Sequence, residues 1–162
     1  MHHLNKGKNG ERELAKVLNS LGFAMAQRGA QRKGGEDSPD VLFIQAVHIE
    51  CKRVETLDLR SALEQSIRDA GPNKIPTVFH RKNRMPWLIT VQREHFKDFQ
   101  TAILSTGVFS LEPVPRVPVW KPMKRLNEAM AKLGILPHLV AKKYDCYTFP
   151  LLEVEAVCKT LI

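Results

Sequence analysis

The sequence predicts an α/β layered domain. Three observations carry this: apolar residues at helical spacing before residue 22, two compact apolar runs at 41–44 and 47–52, and a second helical period over 57–70 followed by two β-rich runs. The expected order is a helix, three short strands, a helix, two strands and a helix, closing near residue 104.

Each element has its own signal. Leu14, Val17, Leu18 and Leu21 recur at spacings of three and four after Asn9 and Gly10, which predicts an amphipathic helix beginning around Glu11 and stopped by Gly22. Residues 23–27 suit a short strand, and 28–39, rich in glycine and charge, a loop. The runs 41–44 and 47–52, separated only by Gln45 and Ala46, read as adjacent paired strands. Leu59, Ala62, Leu63 and Ile67 give the second helix, ended by Gly71 and Pro72. Residues 77–80 and 87–91 flank Arg81, Lys82, Asn83 and Arg84 as a hairpin with a charged tip, and 94–104 is helical again.

Pro113, Pro115, Pro118 and Pro122 forbid a continuous helix, so 105–122 is expected to be an extended linker. Beyond it come a helix at 123–133, strands at 138–141 and 147–149, and a helix at 151–161. The chain thus divides into a core at 1–104 and a small αββα extension at 123–162. The extension echoes residues 59–104, with Leu136 and Pro137 answering Ile75 and Pro76. The shared order is a common one, and it is read as local packing rather than duplication.

Composition narrows the function. Lysine and arginine outnumber aspartate and glutamate 25 to 17, for a net charge of +8, so polyanions are attracted and nucleic acid is the first partner to consider. No apolar run approaches the roughly 20 residues of a membrane-spanning helix, and the N-terminus lacks an apolar signal segment, so the protein reads as cytoplasmic. Cys51, Cys146 and Cys158 are an odd number without metal-ligand spacing and are expected to be reduced thiols. His2 and His3 read as a solvated tail or tag remnant.

The residues that carry chemistry sit on the paired strands. Alternation along a strand puts Glu50 and Lys52 on one face and Cys51 on the other. Asp40, directly after Pro39, opens the preceding strand, and pairing around Gln45 and Ala46 would bring its carboxylate toward Glu50. Two converging carboxylates repel each other, and a hard divalent cation such as Mg2+, with Mn2+ able to substitute, would stabilise both as anions. Lys52 would orient or deprotonate a water, or stabilise a phosphorane. The alternative is an exposed strand-face ion pair of little energetic value, with Asp40 a turn residue. The apolar runs before these charges imply a buried sheet, where unpaired charge is costly, and favour the functional reading. Glu11 and Glu13 are about 200° apart on a helix, so only one of them can face such a site; both could instead complement the helix dipole.

Pro39-Asp40 followed by Glu50-Cys51-Lys52 resembles the PD-(D/E)xK nuclease superfamily. Lys6-Gly7 with Gly10-Glu11-Arg12-Glu13-Leu14 is similar to the first helix of archaeal-type and phage Holliday-junction resolvases, and Ile49 to Arg53, Ala62, Gln65, Asp69-Ala70-Gly71, residues 80–84 and Trp87 look like phage-encoded members. The likeness covers roughly residues 5–98. It implies a restriction-endonuclease-like mixed central sheet flanked by helices, with 1–104 as the nuclease core. It also implies Glu11, Asp40, Glu50 and Lys52 as catalytic residues, the three acids as metal ligands, and homodimeric cleavage of four-way DNA junctions, in a host cytoplasm if the chain is phage-encoded. The same site fits a restriction- or repair-type nuclease, and a non-catalytic DNA-binding module is the remaining rival. Arg28, Arg32, Lys33, Arg53, Arg81, Lys82 and Arg84 border the site as phosphate contacts, with Gln65 near substrate. Trp87 is expected in the core.

Overall fold

The computed structural model describes residues 2–29, 39–110 and 122–161. A mixed five-stranded sheet lies at its centre, in the order β3-β4-β5-β7-β6. Its strands are β3 (Val47–Arg53), β4 (Ile75–Arg81), β5 (Leu88–Gln92), β6 (His138–Val140) and β7 (Tyr144–Pro150). β3 and β4 run parallel, and every other neighbouring pair is antiparallel. The α/β mixed sheet flanked by helices is therefore as the sequence predicts.

The period of two along each strand separates two cores. Val47, Ile49, Phe79, Ile89, Val91, Tyr147 and Phe149 join the larger one, with apolar residues of α1 (His2–Ser20), α3 (Phe96–Ser105), α4 (Pro122–Lys132) and α5 (Val154–Cys158). On the opposite face Val78, Val140 and Cys146 pack beneath Ala62 and Leu63 of α2 (Leu59–Ala70). Asp58 caps α2, its carboxylate accepting from the Ser61 N–H at 3.0 Å.

Four expectations need correcting. α1 starts at His2, not near Glu11: lysine and leucine are good helix formers and carry the helix through Gly7 and Gly10. Gly10 marks a packing contact, since a Cβ there would lie 2.8 Å from Arg53 Cβ. The strand expected at 23–27 is β1 (Gln27–Arg28), and β2 is only Val41–Leu42. β2 pairs antiparallel with β1 rather than laddering with β3, and the Asp40 N–H beside it reaches β3 at Ile49 O, 3.2 Å away. Finally, Pro122 opens α4 instead of ending a linker, a position where its missing N–H costs nothing. Pro113, Pro115 and Pro118 lie outside the described residues.

The αββα order expected beyond residue 122 is present and is built into the central sheet, because β7 pairs with β5 from Leu88↔Pro150 to Gln92↔Cys146. The β4–β5 and β6–β7 hairpins are arranged about an approximate two-fold axis at the Thr90↔Thr148 pair. Each enters a 3-10 turn through matching dihedrals, φ −62° and ψ 136° at Gln92 and φ −62° and ψ 135° at Pro150. Trp87 is buried, as expected. The three cysteines are free thiols, and burial pushes Cys146 and Cys158 up to about 12. Among the described residues, no helix is long and apolar enough to cross a membrane.

Candidate active site

The site forms at the outer edge of β3. Glu50 and Lys52 share the face covered by α2, and the ammonium lies 2.8 Å from Glu50 Oε1. Glu50 is 2% exposed, whereas about a third of the Lys52 side chain meets solvent. Gln65 projects from α2 to accept from Lys52 Nζ at 3.4 Å.

Asp40 is held alongside by two backbone bonds. Its N–H donates to Ile49 O, and its Oδ2 accepts from the Cys51 N–H at 2.8 Å. Gly29 braces the same residue, donating to Asp40 O at 2.9 Å, and a Cβ on Gly29 would fall 2.0 Å from Pro39 O. Only glycine permits that approach.

α1 supplies both acidic candidates, and the helical turn between them sends each to a different partner. Glu11 is buried and receives Arg28 Nε at 2.5 Å. Glu13 instead engages two guanidiniums, Arg53 at 3.0 Å and Arg81. Arg53 and Arg81 are register partners on β3 and β4 and lie on the α1 side of the sheet, opposite Lys52. Of the other basic candidates, Lys82 and Arg84 are exposed on the β4–β5 turn, and Arg32 and Lys33 lie outside the described residues.

Electrostatics ties the acids together. Burial raises Glu11 above the usual carboxylate range; the Arg28 bond opposes this and the Asp40 charge adds to it. Glu50 is raised to about 7, first by burial and then by Asp40, against the bond and charge of Lys52. Burial would lower Lys52, but the bond and charge of Glu50, with Asp40, raise it above its ordinary value. Lys52 is thus an ammonium donor rather than a neutral base.

This gives a pH test. A carboxyl whose pKa is higher folded than unfolded binds its proton more tightly in the folded chain, so its stabilisation is complete below 4.5 and is lost as pH rises through about 7. Metal-free protein is expected to lose melting temperature across that window more steeply than Glu50→Gln. Added Mn2+ should restore it above neutrality but not in mild acid, because the cation needs the ionised carboxylate. Equal slopes for wild type and variant would refute this account.

Two residues missed in the sequence join the site from the α2 side. His48, Glu50 and Asp69 bring one ligand atom each within 4.8 Å of one another, and among the described residues this is the group of three so placed. Asp40 and Glu11 are outside it, the one turned to the Cys51 N–H and the other held by Arg28. The signal for His48 was available, since it stands two positions before Glu50 on the same strand face. Asp69 becomes a neighbour only through the docking of α2. Glu50, raised by burial and by the charges of Asp40 and Asp69 and paired with Lys52, belongs to a donor set suited to a hard divalent cation. An open cavity of about 480 Å³ adjoins Lys52, with Leu57, Leu59, His80, Lys82 and Met85 on its walls.

No curated protein and no solved structure matches the chain. The family model described as archaeal Holliday junction resolvase (hjc) matches residues 2–66, from α1 into α2, a span that contains Glu11, Asp40, Glu50, Lys52 and Gln65. Over that span, which is less than half of the chain, the sequence is similar to the archaeal Holliday junction resolvase family, a member of the PD-(D/E)xK superfamily.

Proposed function

We propose that this chain is a metal-dependent endonuclease that hydrolyses DNA phosphodiester bonds and nicks four-way junctions as a homodimer in the cytoplasm. The observation that carries the reading is the buried Glu50 beside Lys52, with Asp40 fixed against the same strand. Asp40 and Glu50 would hold Mg2+ or Mn2+, and Glu11 would add a third carboxylate. A bound ion of this kind neutralises charge on the phosphate and lowers the pKa of water. Lys52 donates to the phosphate oxygen that gains charge, and Gln65 orients the ammonium. Arg28, Lys82 and Arg84, with Arg32 and Lys33, grip the backbone, and Arg53 and Arg81 do so on release from Glu13. The chemistry resides in residues 1–104, and 123–162 complete the sheet behind it.

The close approach of His48, Glu50 and Asp69 favours a second placement, in which the cation sits behind Glu50 and the imidazole selects Mn2+ over Mg2+. One experiment addresses both. Purified protein is offered four-way junctions, forks, linear duplex, single strands and supercoiled plasmid across a titration of each metal. Junction nicking is expected. Bound but uncut junction and supercoiled plasmid would overturn the reading, and a Mn2+ affinity lost in His48→Ala would select the second placement.

A further inference from the structure

A line of polar side chains crosses the apolar face under α2. His80 Nε2 lies 2.9 Å from Thr90 Oγ1, Thr90 Oγ1 lies 2.8 Å from Thr148 Oγ1, and Thr148 Oγ1 lies 2.7 Å from His138 Nε2. The line follows the approximate two-fold axis: Thr90 pairs with Thr148, His80 pairs with Leu88 two positions before Thr90, and His138 pairs with Cys146 two positions before Thr148. One end borders the cavity beside Lys52, since His80 lines it and is the register partner of Lys52. The other end is at the sheet's edge strand, where His138 is exposed.

Proton counting gives this line a direction. Two hydroxyls supply two protons for three links, so one imidazole donates from Nε2 while the other accepts. Reversing the line exchanges those roles without creating a charge in the interior. His80 suits such an exchange because burial, followed by the charge of His138, pushes it down to about 4 and keeps it neutral near physiological pH.

We propose that His80, Thr90, Thr148 and His138 form a proton path between solvent at the β6 edge and the cavity beside Lys52. The proposal rests on the nuclease reading. When water attacks phosphorus, releasing one proton to bulk solvent, and the bond to the leaving 3′ oxygen breaks, that oxygen takes a proton from His80 Nδ1 through a water in the cavity. His80 Nε2 takes the Thr90 hydroxyl proton, Thr90 takes that of Thr148, and Thr148 takes the Nε2 proton of His138. His138 is then reprotonated at Nδ1 by solvent.

The test uses the full chain in single-turnover cleavage with Mg2+. Thr148→Val removes the links to Thr90 and to His138 and leaves the His80–Thr90 bond intact, and His138→Ala removes the exposed end without touching the core. Both are expected to slow cleavage by about tenfold or more and to reduce the solvent deuterium isotope effect, with unchanged DNA affinity and melting temperature. Thr148→Ser should restore both readouts. Nitrogen NMR of the wild type should show one of the two imidazoles protonated at Nε2 and the other not. Variants that cut at the wild-type rate overturn the path while the nuclease reading stands. Wild-type protein that cuts no DNA overturns both.

Discussion

Replacing Asp40 or Glu50 by alanine is expected to abolish cleavage while leaving DNA binding in place. After burial, the charge of Asp40 raises both Glu50 and Glu11, and in the proposed site either change would cost the cation a ligand and the phosphate its neutralising partner. The rate should fall by on the order of 10²–10³-fold or more, the scale of losing a preorganised charge partner. Binding survives because phosphate attraction comes from the basic residues and the net charge of +8. Glu50→Ala also strips Lys52 of its 2.8 Å partner, so Glu50→Gln, which keeps an oxygen there, serves as the folding control. Single-turnover kinetics and a gel-shift titration check the expectation. Cleavage by the Asp40→Ala variant at the wild-type rate would remove Asp40 from the chemistry.

Ending the chain after Ser105 is expected to prevent folding, although every proposed catalytic residue is retained. The deletion removes β7 from the side of β5 and leaves an unpaired edge in mid-sheet. It also takes away Tyr147, Phe149, Leu151, Val154 and Val157, all at most 2% exposed. At roughly 1.5–3 kcal/mol per buried side chain, their loss is comparable to the stability of about 5–15 kcal/mol of a whole domain. Phe96 packs edge-on against both Tyr147 and Phe149 and would face water. Circular dichroism and a thermal melt decide the matter: a cooperative transition in residues 1–105 would show that this part of the chain folds on its own. The milder Phe149→Ala should cost about 3–5 kcal/mol.

Periodicity revealed the helices after residue 57 and the hairpin at the basic tip, because each is set by contacts within a few residues. It located Glu50 and Lys52 on one face for the same reason. The extent of α1 was hidden, since glycine at position 10 reads as a stop when its neighbour in space, Arg53, is unknown. The partner of the Val41–Leu42 strand was hidden too, because two residues carry too little pattern to choose between β1 and β3. Glu11 and Glu13 could be separated only once Arg28, Arg53 and Arg81 had been brought beside them from other elements.

What the sequence by itself determined is the α/β class, the strand face shared by Glu50 and Lys52, and the likeness of residues 2–66 to the archaeal resolvase family, all of which depend on short spacings and residue types. The tertiary structure alone decided that the tail completes the central sheet, that His48 and Asp69 stand beside Glu50, and that a line of hydroxyls and imidazoles joins His80 to His138. Those depend on strand order and on the docking of α2, which arise from pairings between residues distant in the chain and leave no local pattern.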